Sequence, residues 1–241
     1  MPKTKLLRIF LILFSFIKSA QANSQATPGF GSWTIINLKY PFSKSWYAYV
    51  DAQVRTSKFY NDYYSYDYKA AINYAANNKF GFLVGIAEIK NYQTNGNFKK
   101  PLLNTEFRTW EQSTMYNSIK AFKFESRLRV EQRFTNHGYF NRFRYRLNIS
   151  APLNKKTFEN NALYFNTSDE LFFVNTHPLF SANQFFIGAG FIFSQHISIL
   201  SGWINQLNEI PGTNIAFKKN YLQTSFLFTL NKQQHHGGMQ D

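Results

Sequence analysis

Residues 122–134 read FKFESRLRVEQRF, a pattern that fits no helix face. Phe122, Phe124, Ser126, Leu128, Val130, Gln132 and Phe134 fall on one side of an extended chain, and Lys123, Glu125, Arg127, Arg129, Glu131 and Arg133 on the other. Alternation at every second residue is strand periodicity, because successive side chains of a strand point to opposite faces. The next run repeats it, with Phe143, Tyr145, Leu147 and Ile149 set against Arg142, Arg144, Arg146, Asn148 and Ser150. If Thr135–Phe140 is the loop between them, the two strands pair antiparallel and Arg127, Arg129, Arg133, Arg142, Arg144 and Arg146 form one basic wall.

The same alternation extends outward in both directions. Trp46, Ala48, Val50, Ala52 and Val54 alternate with Tyr47, Tyr49, Asp51, Gln53 and Arg55; Tyr64, Tyr66, Tyr68, Ala70, Ile72 and Tyr74 alternate with Ser65, Asp67, Lys69, Ala71 and Asn73. Near the end, Leu222, Thr224, Phe226, Phe228 and Leu230 form a further apolar row. Weaker runs lie at Ser32–Tyr40, Phe80–Tyr92, Thr105–Tyr116, Ala162–Val174, Gln184–Phe193 and His196–Asn205, which makes about eleven candidate strands. Single-chain bacterial outer-membrane barrels have even strand numbers. The expectation is therefore an all-β, transmembrane, antiparallel up-and-down β-barrel of 10–12 strands, twelve being the preferred count. Turn chemistry separates the runs, and short breaks such as Ala76-Asn77-Asn78 alternate with longer ones such as Thr94–Asn97, Thr135–Gly138 and Asn175–Pro178. That rhythm is the one expected of short turns at one barrel end and longer loops at the other.

Both faces suit a bilayer. Phe122 and Phe134 bracket Leu128 and Val130, and Tyr64 and Tyr74 bracket Ala70 and Ile72, as rings at two interfaces bracket an aliphatic middle. The opposite row cannot face lipid, where an Arg at the midplane costs roughly 2–4 kcal/mol. A polar lumen accommodates it.

Composition and the first residues set the compartment. The chain has 241 residues, no cysteine, 19% aromatic residues and a net charge of +14. Lack of cysteine excludes disulfide scaffolds, thiol catalysis and iron–sulfur clusters. Lys3, Lys5 and Arg8 precede the apolar run Ile9–Ile17, and Ala20-Gln21-Ala22 supplies the small residues of a cleavage site. Residues 1–22 thus read as a cleaved signal peptide, 23–230 as the barrel and 231–241 as a polar tail. Export with no apolar run long enough for a spanning helix leaves a soluble protein or a barrel in the outer membrane of a Gram-negative cell.

Five segments carry a family resemblance: Ser32-Trp33-Thr34, Arg127–Phe134, Arg142–Leu147, Ser168–Phe172 and Gly202–Gln206. Across roughly Gly31–Leu230 the chain resembles domain-of-unknown-function family 2490, a family of outer-membrane barrels. The resemblance implies a barrel and brings no catalytic residue, cofactor or metal with it. Many outer-membrane barrels end on an aromatic residue; here NKQQHHGGMQD follows Leu230, leaving Phe228 as the internal substitute.

For chemistry, the candidate lumenal site is Arg127, Arg129, Arg133, Arg142, Arg144 and Arg146 with Glu131. One reading is a salt-bridge ladder with Glu125, Glu131, Asp67, Glu106 and Glu170 that fills the lumen. The other is anion passage or an acidic ligand, since rings of Arg favour anions. No HExxH, GxSxG or P-loop pattern occurs, but Ser194, His196 and Ser198 share a face, so an outer-membrane lipid hydrolase is one alternative and a lipocalin-like periplasmic binder another. The concealed arginines do not suit nucleic acid. Expected partners are the barrel-assembly machinery, outer-membrane lipid and lipopolysaccharide, the last drawn by Lys99-Lys100, Lys155-Lys156 and Lys218-Lys219.

Overall fold

A computed structural model describes residues 24–99, 101–176, 179–209 and 216–230, with backbone alone for 24–28. The expected signal peptide and polar tail lie outside the described residues. Eleven strands run in chain order: β1 Ser24–Pro41, β2 Trp46–Lys58, β3 Asn61–Ala75, β4 Phe80–Tyr92, β5 Leu102–Ile119, β6 Phe122–Thr135, β7 Gly138–Pro152, β8 Ala162–Val174, β9 Phe180–Ile192, β10 Ile197–Glu209 and β11 Ala216–Thr229. Each pairs antiparallel with the next, and β1 closes the barrel against β11.

The count of twelve is corrected to eleven, and parity explains the closure. An up-and-down meander with an odd number of strands ends running in the direction it began. β1 and β11 accordingly pair parallel, from Ser24 opposite Ala216 to Lys39 opposite Thr229. The described residues between β4 and β5 form no further strand. There Asn95, Asn97 and Phe98 take positive φ, and the loop is tied to β3 by Phe98 N–H donating to the Tyr63 carbonyl at 3.0 Å. Loop rhythm is also corrected: β6 and β7 join through Asn136-His137 alone, whereas the long link 153–161 emerges at the opposite end.

The dyad rows face as their chemistry requires. Ile36, Trp46, Val50, Ile72, Val84, Ile86, Leu128, Phe143, Ile187 and Trp203 all point outward and are exposed. Ring clusters mark both rims: Trp46 with Tyr74 at 4.7 Å on one, Phe107, Phe134 and Tyr139 on the other, with Phe134 and Tyr139 at 4.9 Å. One residue departs from its row. Between Arg55 and Thr56 the β2–β3 register slips, so Tyr64 becomes the extra residue of a bulge. It turns inward and sets its hydroxyl 2.7 Å from that of Tyr221 on β11.

Eleven strands enclose a wider interior than the eight that side chains readily fill, and here large side chains project into it. One apolar cluster joins Trp33, Ile35, Phe186, Ile204 and Tyr221; another joins Ala71, Leu83, Ala87, Ile89 and Trp110. Inward glycines make room for these rings. A Cβ at Gly85 would strike Trp110, and one at Gly190 would strike Tyr164. Each ring sits where the missing Cβ would be, an arrangement that both packs the ring and covers the strand.

Candidate functional site

The basic wall forms on β6 and β7 because their antiparallel register places cations directly opposite one another. Arg127 faces Arg146 and Arg129 faces Arg144, while Glu131 faces Arg142. Like charges opposed across a ladder are destabilising on their own. Carboxylates from the two flanking strands and from β6 itself answer them.

Glu131 is the centre. It has no solvent exposure and takes Arg142 at 2.6 Å, Arg144 at 2.7 Å, Arg108 at 3.4 Å and Arg129 at 3.6 Å. Glu170 on β8 takes Arg127 at 2.6 Å and Arg144 at 2.8 Å. Glu106 on β5 takes Arg108 at 2.6 Å and Arg133 at 2.5 Å, and Glu125 takes Arg146 at 2.5 Å. Arg129 also donates twice to the Gln112 amide oxygen, at 2.9 and 2.6 Å. Rings back the guanidiniums: Arg144 lies 4.6 Å from the Phe172 ring, Arg133 4.6 Å from Phe140 and Arg129 5.2 Å from Trp110. A buried ion pair holds only where further hydrogen bonds satisfy its remaining donors and acceptors, and this wall supplies many of them.

All the candidate residues from the sequence are thus brought together. Of the carboxylates expected to answer them, Asp67 does so elsewhere: it pairs with Lys69 at 2.6 Å, and Lys69 also reaches Asp51 at 3.1 Å. Arg108 and Gln112 were missed. Their signal was present in Thr105–Tyr116, where Glu106, Arg108, Trp110, Gln112 and Thr114 alternate with a mixed row, and that mixture hid it.

The mixed row matters on the outside. Glu111 points outward among apolar neighbours, accepting from Gln132 Nε2 at 3.0 Å, and Gln132 accepts from Thr109 Oγ1 at 2.7 Å. Together with Trp46, Ile72, Tyr74, Phe82, Val84 and Leu128, Glu111 lines a shallow outer groove of about 560 Å³.

The serine–histidine alternative receives a different geometry. His196 directs Nδ1 to the Thr229 carbonyl at 3.0 Å and Nε2 to the Gln195 amide at 3.0 Å, while Ser194 Oγ accepts the His196 backbone N–H at 3.2 Å. Ser198 stands on the row of β10 that faces the lumen, opposite Ile192 and Leu227. Ser198 is therefore off the outer wall, and the three do not share an outward face. Lys219 is corrected as well: its ammonium turns inward to the Tyr64 ring, 5.0 Å away, and so is no surface cation.

Charge held inside, apolar side chains presented outside and a sheet closed on itself define the class: an all-β, up-and-down barrel with ion-paired charge on its inner wall. The chain belongs to the family described as Protein of unknown function (DUF2490), whose model matches residues 30–216. Comparisons with curated proteins and with solved structures give no match.

Proposed function

We propose that this chain is an outer-membrane barrel of a Gram-negative cell that is held in lipid by its outer wall and closed inside by its ion-paired arginines. Its role is then structural, with solute passage confined at most to small ions. One contrast carries the reading: outward Leu128 is 58% exposed, while Glu131, three residues along the same strand and facing inward, is 0% exposed. Water-soluble domains bury their apolar side chains and rarely bury charge. In lipid the preference for the outer row reverses, because a hydrocarbon solvent favours apolar side chains and every backbone group of a closed barrel is already paired. Lipid, lipopolysaccharide and the barrel-assembly machinery are the partners this reading supplies.

Fractionation of expressing cells and planar-bilayer recording of the refolded barrel test it together. Recovery in the outer membrane with no steady open-channel current supports the proposal. Recovery in the soluble periplasm overturns the location, and a large steady conductance overturns the closed lumen.

A further inference from the structure

Glu111 is a carboxylate on the outer wall of β5, with Val84 of β4 on one side and Val130 of β6 on the other. One oxygen, Oε2, accepts from Gln132 Nε2 at 3.0 Å, and Gln132 is steadied in turn by Thr109 Oγ1 at 2.7 Å. The other, Oε1, takes no hydrogen bond among the described residues, and the carboxylate has no ion-pair partner among them. A charge held against hydrocarbon is costly unless a counter-charge answers it. On a wall that faces lipid, that counter-charge comes from outside the chain.

The surroundings of Glu111 say what carries it. The groove it lines, of about 560 Å³, has the size of a small-molecule site. Tyr74 pairs with Phe82 and Phe82 with Ser113; two residues further in, Ile72 pairs with Val84 and Val84 with Glu111. Glu111 therefore stands roughly 7 Å of strand inside the rim where the Trp46 and Tyr74 rings lie 4.7 Å apart. Rings of this kind sit at headgroup level, so the carboxylate opens just beneath the headgroups. The ring faces attract an organic cation, and the open Oε1 calls for a cation with N–H groups to donate. A primary ammonium has them and a quaternary one has none.

We propose that the outer groove binds one phospholipid whose headgroup carries a primary ammonium. The ammonium donates to Glu111 beside the Trp46 and Tyr74 rings, and an acyl chain lies along Ile72, Val84 and Val130. This rests on the lipid-embedded reading and names the lipid that one face of the outer wall selects.

Single-tryptophan variants of the refolded full-length mature protein test it. Vesicles hold equal phosphatidylethanolamine and phosphatidylcholine throughout, and bromine is carried on the acyl chains of one or the other. With Trp46 alone retained, brominated phosphatidylethanolamine is expected to quench as if enriched roughly threefold to fivefold over phosphatidylcholine. With Trp203 alone retained, on β10 away from the groove, no preference is expected. Glu111→Gln in the Trp46 protein should abolish the preference. Equal quenching of Trp46 by the two lipids overturns the site, as does the same preference at Trp203 or a preference that survives Glu111→Gln. Crosslinked dimers lost in Glu111→Gln would give the groove to a second copy and overturn it as well. If that variant fails to fold, the contrast between Trp46 and Trp203 decides. Brominated lipid that reaches neither tryptophan defeats the lipid-embedded reading itself, whereas quenching of both without headgroup preference defeats only the groove.

Discussion

Arg129 and Arg144 face each other across the β6–β7 ladder, and Glu131 holds both, at 3.6 and 2.7 Å. Two guanidiniums in direct opposition are tolerable because one fully buried carboxylate lies between them and two further arginines. Removing it strands charge rather than deleting a contact, and breaking a buried pair in this way costs about 3–5 kcal/mol. Glu131→Gln is therefore expected to lower the temperature at which the folded band is lost in heat-modifiable gel mobility. Glu125→Gln, at a pair whose side chains are 25% and 28% exposed, is expected to lower it far less. Equal effects would show that burial does not govern this wall.

The outward row yields the opposite expectation for an introduced charge. Leu128→Arg places a guanidinium on the outer wall, at a cost of roughly 2–4 kcal/mol near a bilayer midplane. Folding yield into lipid vesicles should fall, while folding in short-chain detergent, which lets the charge meet water, should be affected less. Normal vesicle folding would place this face away from lipid.

Glu111 is the converse case, a native carboxylate on the same wall with only Gln132 donating to it among the described residues. Glu111→Gln keeps the shape and removes the charge. The barrel in vesicles free of ammonium-headed lipid is expected to resist urea unfolding as well as wild type or better. Weaker resistance would mean that Glu111 answers a cation that the outer groove receives.

Gly85 and Trp110 test the packing of the lumen. Gly85→Ala drives a methyl into the indole ring, and overpacking of this kind typically costs 1–3 kcal/mol. A lowered unfolding temperature together with a shifted tryptophan emission is expected. An unchanged emission would mean that the ring is free to move aside.

Much of this was legible in the sequence, for a physical reason. Strands β6 and β7 alternate cleanly because one face carries the exposed apolar side chains and the other meets paired charge, so both the facing and the antiparallel Arg wall could be read from residues 122–150. Four of its carboxylate partners, Glu106, Glu125, Glu131 and Glu170, could be named as well. Eleven runs could be counted too, but the even-number rule for bacterial barrels displaced that count to twelve. The count depends on whether residues 93–101 form a loop, and the bonds that hold this loop, Phe98 N–H to the Tyr63 carbonyl and Tyr63 N–H to Asn97 Oδ1, join residues 34 or 35 positions apart. Tyr64 was misplaced for a related reason, since a bulge leaves no mark on the alternation of its own strand. Lys219 shares that limit: a dipeptide of two lysines reads as surface, and only the register shows that one of them faces Tyr64.

The most direct measurement uses the four tryptophans, which the barrel divides evenly. Trp46 and Trp203 point outward, 43% and 40% exposed, whereas Trp33 and Trp110 face the lumen, 8% and 2% exposed. Single-tryptophan variants refolded into vesicles whose acyl chains carry bromine report lipid contact by quenching. The account predicts strong quenching for Trp46 and Trp203 and weak quenching for Trp33 and Trp110, with aqueous acrylamide reaching the inner pair poorly as well. Uniform quenching of all four, or an outer pair that acrylamide quenches and brominated lipid does not, would contradict a barrel embedded by its outer wall.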